Sequence, residues 1–553
     1  MSANFSIDRD VFQHQLVGIA EEMSRALRRS AFSAVIWDSY DYACGIFTPE
    51  GEMLAQAETI ASQLGTMSTA YGHIRQRIPL EQWKPGDVFI CNDPYKGCTH
   101  TPDITLFSPI FNDGEIIGVA STIAHHLDIG GRFPGTTVAD NVEVYAEGLI
   151  FPQIRFIDGG VQNETAVEFI RSNVRFPDIC LGDLRAQVAG CRTAERRLAE
   201  LAALHGNETF RRLAAATLNY GEAYARGMVE RIADGRYEAE TLLEDGIASE
   251  DNIRLHVVVT IEGSSIKVDF AGSSDQRPAA LNCPWSSTIS MTNYALKCVV
   301  APDTPQNGGF NRVFSVEAPL GSVLNPRKPA AVAARHFVQQ GVADVILKAL
   351  SEAVPERSAA GSQISFPVFR ASGVDDRPGR LKTGEAVPFT VLDLMGGGMG
   401  GSVAHDGLDA VDTHGSNCSL ISAEVMESLG PVRVLRSALV PNSGGEGQHR
   451  GGLALERVYE FLTDSAAGWV RLQQRSAETA PWGGRGGKAG SPSLVVYNPD
   501  TDRERGYLSP RENMLSFGMG DKILVRSAGG GGFGSPQDRP EAERVRDQQE
   551  GYV

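Results

Sequence analysis

Residues 104–124 read Ile104-Thr105-Leu106-Phe107-Ser108-Pro109-Ile110-Phe111-Asn112-Asp113-Gly114-Glu115-Ile116-Ile117-Gly118-Val119-Ala120-Ser121-Thr122-Ile123-Ala124. Two apolar runs flank Asn112-Asp113-Gly114, and Asp-Gly between such runs is a strong local signal for a hairpin. A two-residue turn at Asp113-Gly114 pairs Asn112 with Glu115, and it carries Asp103 opposite Ala124 and Pro102 opposite His125. Both ends of the hairpin are rich in ligand-type side chains. Asn92-Asp93-Pro94-Tyr95-Lys96-Gly97-Cys98-Thr99-His100-Thr101-Pro102-Asp103 enters it, and Ala124-His125-His126-Leu127-Asp128-Ile129-Gly130-Gly131 leaves it. The open end therefore gathers His100, Asp103, His125 and His126. Two imidazoles and a carboxylate at one point suit a divalent ion such as zinc, manganese or iron(II), with a position left for water. Strict alternation puts His126, not His125, on the face of Asp103, while Pro102 disturbs alternation at this end. Spacing leaves the second histidine open.

Upstream, Phe12, Leu16, Ile19, Met23 and Leu27 recur every three or four residues and predict a helix, with Asp10 as a candidate cap. Short strand-like runs follow at residues 34–37 and 44–47, and Val88 to Cys91 ends at the turn signal Asn92-Asp93-Pro94. Downstream, helical spacing returns at Leu184, Val188, Cys191, Leu198 and Leu201, and again from Phe210 to Ile232. At Ile253, Leu255, Val257, Val259 and Ile261 the period changes to two, and Gly263-Ser264 turns the chain into Ile266, Val268 and Phe270, a second, half-buried hairpin. Glycine clusters at 396–398, 400–401, 444–445, 483–484 and 529–532 are too irregular for a solenoid repeat. These patterns predict a multidomain α+β protein: an N-terminal region carrying the metal-bearing hairpin (1–164), a mainly helical segment (165–245) and a glycine-rich, β-containing C-terminal region (246–553).

The chain of 553 residues, 42% hydrophobic and 22% charged, can bury a sizeable core. Fifty-one basic against 68 acidic residues leave a net charge of −17, a field that repels phosphate backbones and anionic lipid. Nucleic acid and membrane are thus excluded as expected partners. The N-terminus shows no basic segment followed by an apolar run, so a cytoplasmic protein is expected. Eight scattered cysteines without a CxxC pair predict reduced thiols used in packing, not a disulfide framework or zinc ribbon.

Nucleotide motifs are missing despite the glycine content. Gly483-Gly484-Arg485-Gly486-Gly487-Lys488 has Trp482 where a phosphate loop needs its leading glycine, and Ala489 where it needs a hydroxyl. Gly396 to Gly401 has no strand and helix of dinucleotide-binding type around it, which predicts a flexible or substrate-facing loop. Neither a GxSxG elbow nor an HExxH helix is present.

The segments NDPYKGCTHTPD, AHHLDIGG followed by FPGT, NPRKPAAVAAR, NSGGEGQHRGG, TAPWGGRGG and AGGGGFGSP resemble, in order, the motifs of the hydantoinase B/oxoprolinase family. The resemblance spans nearly the whole chain, from Ala20-Glu21-Glu22-Met23 and Asp41-Tyr42-Ala43-Cys44 to the glycine-rich end. It implies a metal site similar to Asp41, His100, Asp103 and His125, and so decides between the two histidines. His126 and Asp128 then become candidates for orienting the ligands, with simple loop hydrogen bonding as the other role open to them. Two positions depart from the family's habit: Cys98 stands where glycine is usual, and Gln63 where histidine is common.

The resemblance also implies a division of labour. A hydantoinase A-like, actin-like ATPase partner, carrying ATP and magnesium, phosphorylates the carbonyl oxygen of a small cyclic amide. This chain, in a hetero-oligomer, hydrolyses the activated ring with a hydroxide generated near neutral pH. The same family includes ketone carboxylase subunits of acetone or acetophenone type, with similar ligands; chain length favours the hydrolase branch. A non-catalytic scaffold subunit is the third reading, and its signature would be loss of the ligand set, which is intact.

Overall fold

A computed structural model describes residues 3–135, 138–377, 387–507 and 515–553; Thr136, which closes the FPGT motif, lies outside them. The described residues form a mixed helix and sheet architecture with four sheets. The first is antiparallel and seven-stranded. Its strands are β1 (Tyr42–Phe47), β2 (Met53–Gln56), β3 (Val88–Cys91), β4 (Asp103–Asn112), β5 (Glu115–His125), β6 (Ile154–Asp158) and β7 (Val161–Gln162), in the order β2-β1-β5-β4-β3-β6-β7.

Alternation along β4 and β5 gives this sheet two apolar faces. Ile104, Leu106, Ala120 and Ala124 pack with the helices Ala3–Ser30 and Pro177–His205, while Phe107, Val119 and Ile123 pack with Leu64, Met67 and Tyr71 of the helix Ala61–Arg77. The first helix buries its predicted stripe, with Phe12, Leu16, Met23 and Leu27 fully inaccessible. It begins at Ala3, so Asp10 lies inside it and is no cap. Residues 34–37, read as strand from their apolar run, form one helical turn; four residues are too few for periodicity to separate the two states.

The helices Glu164–Asn173, Pro177–His205 and Asn207–Val229 join the core of the first sheet, and the strand Gly235–Leu243 follows. That strand pairs with Ile253–Glu262, whose alternate residues are buried, and Ser265–Asp269 completes the second predicted hairpin. Against this second sheet lie the helices Trp285–Val300 and His336–Leu350. Trp285–Val300 crosses Ala61–Arg77 closely: a Cβ at Gly65 would stand 2.2 Å from Ser290 Oγ.

Two further sheets, one built on Val368–Asp375 and one on Leu455–Phe461, share a third core. Beside them the glycine clusters interlock backbone to backbone. Gly398 N donates to Ala528 O, Gly401 N to Gly531 O, Gly531 N to Gly361 O, Gly530 N to Gly452 O and Gly452 N to Met399 O. A Cβ at Gly398 would meet Gly452 O at 2.0 Å, and one at Gly530 would meet Met399 O at 2.0 Å. The segment 396–401 is thus part of a hydrogen-bonded mesh and not the flexible loop its composition suggested; glycine is needed there for close approach. All eight cysteines are free thiols, and six are buried. No described helix is long and apolar enough to cross a membrane.

Candidate metal centre

The hairpin register departs from the turn's simple projection in one place, and that place decides the site. Asn112 faces Glu115 and Phe111 faces Ile116, but Ile110 then faces Gly118, with Ile117 left as the extra residue of a bulge. From there to the open end every pair is displaced by one, so Asp103 stands opposite His125 and Ile104 opposite Ala124. Directly opposed residues share a face. Asp103 and His125 therefore point the same way, and His126 points to the other face.

The loop that carries His100 is fixed by its own chemistry. Asp93 Oδ1 accepts from Tyr95 N at 2.9 Å and closes a 3-10 turn over Pro94–Lys96, and Gly97 follows at φ 94°, where a Cβ would lie 2.3 Å from Ala70 N. Asn92 Nδ2 donates to the carbonyls of Thr101 and Leu149 and its Oδ1 accepts from Phe151 N, holding both ends of the loop. Asp41, just before β1, accepts at its backbone carbonyl from His125 N at 3.0 Å.

Three donor atoms converge. His100 Nε2 is 3.1 Å from His125 Nδ1 and 3.1 Å from Asp103 Oδ1, and His125 Nδ1 is 3.0 Å from Asp103 Oδ1. All three residues are buried. Donors held about 2.1 Å from one ion at about right angles stand about 3.0 Å apart, so the triangle fits a divalent ion. Protonation agrees. His100 Nδ1 lies 3.0 Å from Ala333 O, which only accepts, so the hydrogen is on Nδ1 and the bare Nε2 lone pair faces the carboxylate. A contact of this length is held by a proton or a metal cation between the two atoms. Burial, then the charge of Arg335, pushes His100 down to about 4. Burial opposes the charge of Asp103, but His100, His125 and Arg335 together hold it well below the usual carboxylate range. A neutral imidazole and an ionised carboxylate are the forms that bind metal.

Asp41 stands at the edge of this group, its Oδ2 3.9 Å from His125 Nδ1 and its Oδ1 accepting from Gln63 Nε2 at 2.8 Å. Burial raises its pKa to about 6 against the pull of His125. His126 packs on the opposite face, with Nε2 3.0 Å from Gln187 Oε1 and Nδ1 3.4 Å from Cys180 Sγ. Asp128 accepts from the backbone of Gly130, Gly135 and Arg175 and pairs with the Arg175 guanidinium at 2.9 Å. Neither makes a side-chain hydrogen bond to the triangle among the described residues.

The remaining support was not read from sequence. Arg335 Nη2 donates to Asp103 Oδ2 at 2.9 Å, and Thr99 Oγ1 donates to the same oxygen. Glu147 Oε1 accepts from Val332 N and Ala333 N, and so fixes the carbonyl that orients His100. Arg335 and Ala333 belong to NPRKPAAVAAR, so the motif was visible, but only folding brings it onto the hairpin mouth. The cavity over the triangle is also lined by Gln63, His336, Gln339, Arg370, Leu392 and Ser416.

These features define an α+β protein that buries a two-histidine, one-carboxylate donor set between its first sheet and the helix His336–Leu350. The chain belongs to the hydantoinase B/oxoprolinase family, which residues 6–536 match. It is 31% identical, over 97% of its length and 91% of the relative's, to a Pseudomonas sp. protein named as a D-/L-hydantoinase component. An uncharacterized protein of Methanocaldococcus jannaschii is 34% identical over 94% of this chain and 89% of its own. 5-Oxoprolinase 1 of Arabidopsis thaliana is 28% identical over 96% of this chain, which spans 42% of that longer protein. Among solved structures, the ATP-dependent caprolactamase of Pseudomonas jessenii superposes with a TM-score of 0.89 at 27% identity, covering 99% of this chain and 94% of that one. A nucleotide-free acetone carboxylase shares the fold, with a TM-score of 0.90 at 20% identity over 99% of this chain and 78% of that one.

Proposed function

We propose that the chain is the metal-dependent hydrolytic subunit of an ATP-dependent cyclic amidase, opening a lactam, hydantoin or related ring that a hydantoinase A-like ATPase partner has phosphorylated on its carbonyl oxygen. The observation that carries this reading is the buried triangle of His100 Nε2, Asp103 Oδ1 and His125 Nδ1. Likeness to a caprolactamase along nearly the full length of both chains supports the hydrolytic branch. The acetone carboxylase likeness speaks to fold alone.

His100, Asp103 and His125 would hold zinc, manganese or iron(II), with Asp41 as a fourth donor on closer approach. A divalent ion supplies Lewis acidity there, lowering the pKa of water to about 7 and polarising a carbonyl. The chain's own residues do the rest. The Ala333 carbonyl and the Glu147 clamp behind it orient His100, the two histidines and Arg335 keep Asp103 ionised, and Thr99 with Arg335 holds its far oxygen so that the other faces the histidines. Where it is not itself drawn onto the ion, the Asp41 carboxylate, held by Gln63 Nε2 beside His125, is placed to take a proton from attacking water and pass it to the ring nitrogen. An unactivated amide is a poor electrophile; phosphorylation on the partner makes its carbon attackable by water, protonation of the ring nitrogen lets the C–N bond break to leave an amine and an acyl phosphate, and a second water cleaves that acyl phosphate to the carboxylate and inorganic phosphate. Exposure of such an intermediate to bulk water would waste it, which favours a stable hetero-oligomer.

The test supplies the chain and its ATPase partner with ATP and five- to seven-membered cyclic amides, and separately with small ketones and labelled bicarbonate. Ring-opened amino acid formed only with ATP is the expected result. Label in a ketone-derived acid, with no ring opened, overturns the hydrolase reading in favour of a carboxylase.

A further inference from the structure

Arg370 lies on the strand Val368–Asp375, in the wall of the cavity that holds the donor triangle. Strand alternation settles which way it faces. Val368 and Arg370, with Leu392 and Leu394 on the paired strand Val387–Leu394, line the cavity, whereas Phe369, Ala371 and Val391 pack into the core behind. Leu392 is directly opposite Arg370.

The side chain is fully buried, yet among the described residues it forms no ion pair with a carboxylate. Nη1 donates to Leu127 O at 3.4 Å, while Nε and Nη2 make no hydrogen bond among the described residues. The nearby carboxylate of Asp128 is already taken up by Arg175 and three backbone N–H groups. Two other buried arginines are matched: Arg335 by Asp103 and Arg457 by Asp393. Room for this guanidinium is built in, because Gly135, at φ 76°, would place a Cβ 1.1 Å from Nη1. Burying an unpaired cation is costly, and folds that do so commonly complete it with a ligand.

The two unbonded nitrogens decide the ligand's shape. Nε–H and Nη2–H share one edge of the guanidinium and form the side-on fork that takes two oxygens of a carboxylate or phosphoryl group at once. We propose that Arg370 is the receptor for an oxyanion carried by the substrate, a carboxylate of the ring compound or the phosphoryl group on its activated carbonyl, docked in the same cavity as the donor triangle. The apolar side chains of Phe366, Val368, Leu392 and Leu394 line that cavity as well and suit the methylene part of the same molecule. This deepens the proposed function by naming a substrate feature, and its test needs neither ATP, partner nor metal, so either claim can fail alone.

The full chain, stripped of metal by a chelator, is titrated calorimetrically with inorganic phosphate and, separately, with acetate. Saturable binding of at least one is expected, weakened at least about tenfold in Arg370→Met and less in Arg370→Lys, which keeps the charge without the fork. The tighter of the two anions names the source: phosphate the phosphoryl group, acetate a substrate carboxylate. Melting in anion-free buffer separates this from a structural role. Without its ligand the buried cation is a burden, so Arg370→Met should melt about 2–4 °C higher than the natural chain. Absence of saturable anion binding to the natural chain overturns the proposal whatever the variants do. Unchanged anion affinity in Arg370→Met or Arg370→Lys overturns it equally.

Discussion

Asp103 stands directly opposite His125 across β4 and β5, one residue out of the register that the Asp113-Gly114 turn begins. The bulge at Ile117 makes that shift, and through it one histidine joins the carboxylate while its neighbour, His126, is turned to the helix Pro177–His205. A single extra residue thus sets which side chains can form the centre.

The first prediction concerns composition. Purified chain should carry about one divalent ion, as two imidazoles and a carboxylate converging on one point imply. His100→Ala and His125→Ala should each lower occupancy in elemental analysis by at least tenfold. Asp103→Asn is a cleaner variant than Asp103→Ala, because removing the whole side chain strands buried Arg335, at a cost of about 3–5 kcal/mol.

Glu147 makes a prediction about pH. Its carboxyl is raised to about 8, chiefly by burial, against the pull of two backbone N–H groups. A group raised above its unfolded value contributes stability that is complete below about pH 4.5 and is lost as pH rises through about 8. Melting temperature should therefore fall between pH 6 and pH 9 more steeply for the natural chain than for Glu147→Gln. Parallel profiles would show that Glu147 is not the group responsible.

Glycine substitutions should divide sharply by surroundings. Gly530→Ala drives a methyl to 2.0 Å from Met399 O in the backbone mesh, and should cost more than about 3 kcal/mol or prevent soluble expression. Gly18→Ala, inside the first helix with nothing within 4 Å, should stabilise by about 0.5–1 kcal/mol. Denaturant unfolding of the two variants reads both effects.

Nucleotide should bind elsewhere. With no phosphate loop in the sequence, the chain alone should show no tight ATP binding by calorimetry, and the partner should supply it. Dissociation constants in the micromolar range for the isolated chain would contradict this division.

What was legible in the sequence was whatever local patterning controls. The Asp113-Gly114 hairpin, the apolar stripe from Phe12 to Leu27 and the alternation from Ile253 to Ile261 all appear where their periods place them. The Ile117 bulge left no such mark, because an extra apolar residue inside an apolar run changes nothing that composition or spacing can register. The glycine mesh was misread for a related reason: backbone against backbone leaves no side-chain periodicity. Arg335 reaches Asp103 across 232 residues of chain, and Arg370 stands out only because no carboxylate among the described residues pairs with it, which is visible in three dimensions alone.

The central claim is that the His100, Asp103 and His125 cluster opens a ring activated on another chain. The most direct measurement follows ATP-dependent ring opening and ATP hydrolysis together in the reconstituted pair, for the natural chain and for Asp103→Asn, before and after chelation and return of a divalent ion. The account predicts that Asp103→Asn abolishes ring opening while much of the partner's ATPase remains, and that the metal-stripped natural chain regains ring opening only when the ion is restored. Full ring opening by Asp103→Asn, or by chelated protein supplied only with the magnesium that ATP needs, would contradict it.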